Sequence, residues 1–367
     1  MKVLVIWRLL TVGGVNAGWR NRAVYFKKYG IQTDFMYVKD LGGMHIMEDV
    51  ANVFLTSDEK EIIEIIQKNN YDVIIVCDTK KGYKWIRKAK FKGPVLIEAR
   101  TPEIIKLNRH LPDFDYVQPE RIIVPSVHQK RLTSILIDSK APYEVIFNGI
   151  DTEFFKPLSP KDTHLNIEPI PSEGKKVVAY IGRLDGRKNW KLLMEIAHLI
   201  KNERVDIEIW IIGGANSVQR DEFEDYWYEN SLTDIVKWYP VVPYHEMPHM
   251  YSKVKQSGGC TIATTKGESF GNTFIESMAC GVPVVAPGIS SIPEIIEDGK
   301  TGLLYKEENA REAVNKIYQI MEAPEYYQIL SDNARERVES CFSISVCAET
   351  YVRLLQELHG GARHSTN

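Results

Sequence analysis

The chain has 367 residues, with 46 Lys and Arg against 49 Asp and Glu and a formal net charge of −3. At about 150 residues per domain this length predicts two domains, each able to bury its own core; the 44% hydrophobic and 26% charged fractions are those of an ordinary soluble globular protein. A balance so near neutrality excludes a protein whose main partner is a nucleic-acid polymer, which needs a basic surplus. Cys77, Cys260, Cys280, Cys341 and Cys347 form no C-x-x-C and stand at no zinc-ligand spacing from a His. Such a scattered set predicts reduced thiols in an intracellular chain. The apolar run Val3–Trp7 stops at Arg8, too short for the hydrophobic region of a signal peptide, and reads as a buried first strand. No run approaches the ~18 apolar residues of a membrane-spanning helix, so the expected location is the cytoplasm.

Short apolar runs alternate with helical patterns along the whole chain. Strands are expected at Val3–Trp7, Thr33–Tyr37, Val73–Cys77, Val95–Glu98, Arg121–Val124 and Glu144–Phe147. After a break they resume at Lys176–Gly182, Ile207–Ile212, Ile235–Trp238, Cys260–Thr264, Pro283–Ala286 and Leu303–Tyr305. Many are continuous Val/Ile runs without alternation, the pattern of parallel strands covered on both faces. Helices are expected between them at Asp58–Lys68, Asn189–Lys201, Thr273–Cys280 and Arg311–Met321. The fold class is therefore α/β, two doubly wound Rossmann-like sheets. Residues 156–175 are polar, Pro-containing and aperiodic, as a linker is. This places one domain at 1–160, a second at 161–345, a helix at 346–359 and a flexible tail from 360. Two such sheets facing each other across a cleft would hold a ligand between their carboxyl edges.

Residues 258–289 read as strand, Gly-containing loop, helix and next strand. Glu268 lies in the loop and Glu276 eight residues on, one turn into the helix. The amides of Phe270, Gly271 and Asn272 run into the helix N-terminus, which favours an anion. Ionised carboxylates there suit hydroxyl recognition, because each accepts from neighbouring OH groups and cannot donate. Taken alone, such a pair is more often a capping acid and a solvated helix residue. In the same way Arg183 and Lys188, following an apolar strand, offer a fork and a point charge to a phosphate, while two loop cations alone are more often a solvated face. Gly13-Gly14, after the first strand, fit equally a flexible turn and a close backbone approach to a ligand.

The block E-S-F-G-N-T-F-I-E-S-M-A-C-G-V-P-V-V-A, Glu268 to Ala286, resembles the Glu-x7-Glu signature of retaining glycosyltransferase family 4, which has the GT-B fold. Three further segments are similar to that family in order and spacing. They are Gly182-Arg183-Leu184 with Arg187-Lys188-Asn189 (Asn189 standing where Gly is usual), Val145 to Asp151, and Trp210 to Gly214. The likeness covers the second domain well and the first loosely. It implies transfer of a hexose-type sugar from a nucleotide-sugar, by default a UDP-sugar, to an acceptor hydroxyl with retention of anomeric configuration and no cofactor. Arg183, Lys188 and Glu268 would be catalytic, the first two on the diphosphate and Glu268 on the transferred sugar. Gly14, Gly182, Gly213, Phe270, Gly271, Asn272 and Glu276 would bind the donor, with Glu276 on the ribose hydroxyls. The implied acceptor side is the first domain, to which the C-terminal helix crosses back.

The family commonly carries a His after the fourth strand of the first domain; Val95 to Pro102 contains none. Gly13, Glu98, Arg100 and His128 are the acceptor-side candidates, and His45 is undecided between ligand and surface. The D-x-D of Asp113-Phe114-Asp115 reads as a surface turn, since it ends no apolar strand, and no metal is expected. The acceptor stays open among a lipid-linked glycan, a polysaccharide end and a small molecule. Two other readings stay open: a degenerate GT-B protein that binds sugar-nucleotide or a partner without turnover, and a nucleotide-sugar epimerase. The basic stretch Lys80-Lys81, Lys84, Arg87-Lys88, Lys90 and Lys92 reads as a solvated helix face or a peripheral membrane contact.

Overall fold

The computed structural model describes residues 1–11, 13–111, 118–137, 139–164 and 172–364, leaving aside the side chains of the last four. It divides into two units, residues 1–151 with 342–367 and residues 152–341. The D-x-D at 113–115 and the last three residues of the expected tail lie outside the described residues.

The first unit carries β1 (Lys2–Thr11), β2 (Gln32–Leu41), β3 (Asn52–Leu55), β4 (Val73–Cys77), β5 (Val95–Glu98), β6 (Arg121–Val124) and β7 (Tyr143–Val145). They form one parallel sheet in the order β3-β2-β1-β4-β5-β6-β7. The period of two along β1 sends Val3 and Val5 to one face, packed with the helices Gly14–Lys27 and Ile344–His364, and Leu4 and Ile6 to the other, packed with Glu59–Lys68 and Lys80–Lys88. Both faces are covered, so β4 is buried at every residue. The C-terminal helix runs to His364, past Gly360 where a flexible tail was expected.

The second unit carries β8 (Lys176–Ile181), β9 (Ile207–Ile212), β10 (Val236–Tyr239), β11 (Cys260–Ile262), β12 (Val284–Pro287) and β13 (Leu303–Tyr305), parallel in the order β10-β9-β8-β11-β12-β13. In both sheets the first strand lies between two neighbours reached in opposite directions, so a crevice opens at its carboxyl end. In this unit the crevice lies between β8 and β11.

The chain leaves and re-enters the first unit side by side. Ile150 pairs with Ser343 in a parallel bridge, the Ile150 amide donating to the Phe342 carbonyl (2.9 Å) and the Ile344 amide to the Ile150 carbonyl (2.7 Å). A Cβ on Gly149 would stand 2.8 Å from the Ile344 Cα, which gives the Asn148-Gly149 pair a packing reason. A short π-helical stretch, Val338–Phe342, brings the chain back. Among the described residues no helix is long and apolar enough to cross a membrane.

Candidate functional site

The loop after β8 holds Gly182 to Asn189 and leads into the helix Trp190–Glu203. Asp185 organises it. One carboxylate oxygen accepts from the Lys188 amide (2.8 Å) and the other from Arg183 Nε (2.8 Å). Burial pushes the Asp185 carboxyl up, but the Lys188 amide and the Arg183 charge outweigh it and hold it below its ordinary value. Tyr180 donates its hydroxyl to the Arg183 carbonyl (2.8 Å). Asn189 takes the left-handed conformation at φ 54°, which explains why Gly is usual there and why Asn is tolerated.

The loop after β11 is fastened to this one. The Lys266 amide donates to the Arg187 carbonyl (2.8 Å) and Thr264 Oγ1 to the Lys188 carbonyl (2.9 Å). Glu268 therefore meets both cations: Lys188 Nζ at 2.7 Å on one oxygen and Arg187 Nη1 at 3.4 Å on the other, with Arg187 also donating to the Gly267 carbonyl. Glu268 is nearly buried, and burial would raise its pKa. The Lys188 and Arg187 charges prevail and keep it lowered, so the carboxylate is ionised. Ser291 Oγ donates to the carbonyls of Glu268 and Phe270, both at 3.0 Å, fixing the turn into the helix Asn272–Ala279. Gly271 stands at φ 115°, and a Cβ there would lie 2.5 Å from the Phe274 ring; only glycine fits.

Glu276 lies on that helix with 9% of its surface exposed and accepts from Tyr251 Oη at 3.0 Å. Burial, the largest influence, pushes its carboxyl up to about 7, while the Tyr251 hydrogen bond and the Lys188 charge pull the other way. The two glutamates thus differ in state, one ionised by cations and the other poised between forms.

The expected residues are not all brought together. Lys188, Glu268, Phe270, Gly271, Asn272 and Glu276 gather at the carboxyl ends of β8 and β11. Arg183 points instead to Asp185 and is 58% exposed. Gly182 and Gly213 have a packing role, since a Cβ on Gly213 (φ 102°) would stand 2.9 Å from the Gly182 carbonyl oxygen. Arg187 and Tyr251 are additional to the expected set. Arg187 stood inside the recognised motif, but only the fold shows which cation reaches Glu268; no spacing signal connects Tyr251 with Glu276.

In the first unit, Gly13 caps the helix Gly14–Lys27 and accepts from the Ala17 amide (3.0 Å). Among the described residues nothing demands a glycine there, a Cβ meeting Thr11 Oγ1 at 3.5 Å. His128 sits half-buried in the first turn of the helix Val127–Ser134, and His45 is exposed. Glu98 and Arg100 are engaged inside the unit rather than offered at its surface. The Glu98 carboxylate accepts from Arg100 (2.6 Å), Arg22 (3.1 Å) and Trp19 Nε1 (2.8 Å), and Arg100 also donates to Asn148 Oδ1 (2.6 Å). Glu98 and Arg22 are fully buried. Burial would raise the Glu98 carboxyl, but the two arginines hold it low.

Residues 162–337, within the second unit, match the profile of the family described as Glycosyl transferases group 1. The spore coat protein SA of Bacillus subtilis strain 168 is 22% identical over 353 residues, covering 90% of this chain and 91% of that protein. A D-inositol 3-phosphate glycosyltransferase of Frankia alni is 24% identical over 198 residues, 52% of this chain and 47% of that one. Among solved structures, Anabaena Alr3699/HepE in complex with UDP and glucose superposes with a TM-score of 0.81 at 18% identity, covering 97% of this chain and all of that one. Sucrose-phosphate synthase from Thermosynechococcus elongatus gives 0.81 at 19%, covering 98% and 99%. Residues 162–337 are thus similar to group 1 glycosyl transferases, and the chain as a whole has the GT-B fold.

Proposed function

We propose that the protein transfers a hexose-type sugar from a nucleoside-diphosphate sugar, by default a UDP-sugar, to an acceptor hydroxyl with retention of configuration and without a metal or other cofactor. The observation that carries this reading is the pairing of Lys188 and Arg187 with Glu268 at the crevice between β8 and β11. One strand end brings cations suited to a diphosphate and the other a carboxylate suited to sugar hydroxyls. The cations and the N-terminus of the helix Asn272–Ala279 act on charge that grows as the C1–oxygen bond to the diphosphate breaks. The acceptor oxygen then bonds to C1 on the face the diphosphate leaves, and the hydroxyl proton passes to the departing phosphate oxygen. Glu276, once ionised, accepts from the ribose hydroxyls. The Anabaena structure, by its description a complex with UDP and glucose, supports the choice of donor. The acceptor, whether lipid-linked glycan, polysaccharide end or small molecule, is to be found by screening.

Incubation with a panel of nucleotide-sugars tests the reading. Slow release of free sugar in the retained anomeric form, undiminished by chelator, is expected, with a loss of ~10²–10³ in rate for Glu268→Ala. Donor binding with no release of sugar would leave a binding protein instead. Full turnover by Glu268→Ala would overturn the site.

A further inference from the structure

The surface of the first unit carries a charge asymmetry that sugar transfer does not use. Residues 80–92 contain seven cations and no acid, so with a total of −3 the rest of the chain sums to −10. The structure makes this stretch a single outward face. The helix Lys80–Lys88 buries Gly82, Tyr83, Trp85 and Ile86 against the sheet. A Cβ on Gly82 would already stand 3.0 Å from Val76, so the helix lies hard on β4 and its roll is fixed. Lys80, Lys81, Lys84, Arg87 and Lys88, with Lys90 and Lys92 in the turn that follows, are all exposed. Glu59 on the neighbouring helix pairs with Lys84 (3.8 Å) and Lys88. Lys80, Lys81, Lys90 and Lys92 form no ion pair among the described residues.

We propose that this face docks the protein on an anionic lipid bilayer. Four to eight clustered Lys and Arg are what such a surface attracts, each contributing independently of lipid detail. The aromatic residues that would stack on the bases of a nucleic acid, Tyr83 and Trp85, are 3% and 4% exposed and point into the core, leaving only long aliphatic stems with charged ends. Such an array reads no sequence and suits a smooth charged plane.

Co-sedimentation with vesicles of 30% phosphatidylglycerol in phosphatidylcholine tests this. Binding is expected at 50 mM salt, lost at 500 mM, and absent with pure phosphatidylcholine. The quadruple variant Lys80→Gln, Lys81→Gln, Lys90→Gln, Lys92→Gln should partition on the order of 10²–10³ less, about five-fold per ammonium. A charge-matched variant on other exposed lysines, Lys28→Gln, Lys140→Gln, Lys161→Gln, Lys306→Gln, should bind as the parent does. Equal losses in the two variants would overturn the proposal, as would unchanged binding by the first. So would binding to single-stranded DNA with none to the vesicles.

Discussion

Burial and one hydrogen bond from Tyr251 set the state of Glu276, with consequences that pH can read. Its folded pKa of about 7 lies above the 4.5 of an exposed glutamate. A carboxyl raised in this way contributes stability that is fully present below about 4.5 and lost as pH rises through 7. The free protein should therefore lose stability over that interval relative to Glu276→Gln, by on the order of 3 kcal/mol in denaturant titrations across pH 4–8. Donor binding should run the other way, since only the ionised form accepts from two hydroxyls. Calorimetric affinity for a nucleotide-sugar is expected to rise between pH 6 and 8 in the parent and stay flat in Glu276→Gln. Gly271 is a residue of the opposite kind, chosen by backbone alone. Gly271→Ala must hold φ near 115° and displace the Phe274 ring, at a cost of about 1–3 kcal/mol in unfolding free energy.

Among elements, the buried cluster around Glu98 joins the end of β5 to the helix Gly14–Lys27 and to Asn148 after β7. Glu98→Ala would leave Arg22 and Arg100 as uncompensated buried charges, and a loss of about 3–5 kcal/mol is expected from chemical denaturation. Glu98→Gln, which keeps shape and acceptor but not charge, should recover part of it. The same cluster shows where a sequence stops being legible. β4, β5, β6, β9 and β13 were readable to the residue because runs such as Val-Ile-Ile-Val-Cys leave no alternative to a buried strand. β3 carries no such run, because Asn52–Leu55 is a short, half-exposed edge strand. Glu268 and Glu276 were legible through spacing within one motif, whereas Arg187 against Glu268 spans 81 positions and Tyr251 against Glu276 spans 25. Contacts of that range are made by strand order, which no local pattern encodes. Glu98 and Arg100 follow a strand in a place where ligands often sit; their pairing with Trp19, Arg22 and Asn148 inside the unit is a tertiary fact.

For the whole molecule, the side-by-side crossing at Ile150 and Ser343 means that the first unit is assembled from both ends of the chain. Its core includes Ala348, Tyr351, Val352 and Leu355 from the C-terminal helix, packed against Trp19, Phe26 and Phe35. Ending the chain at 341 should expose that apolar face, and such a protein is expected to bind a hydrophobic dye and aggregate on mild heating while the full chain does neither. During synthesis, then, the two units come of age in reverse order. Residues 152–341 are continuous and can close as soon as they leave the ribosome. The unit whose sequence emerges first must wait for the helix Ile344–His364, and until that helix arrives one face of its sheet is covered only by the helix Gly14–Lys27.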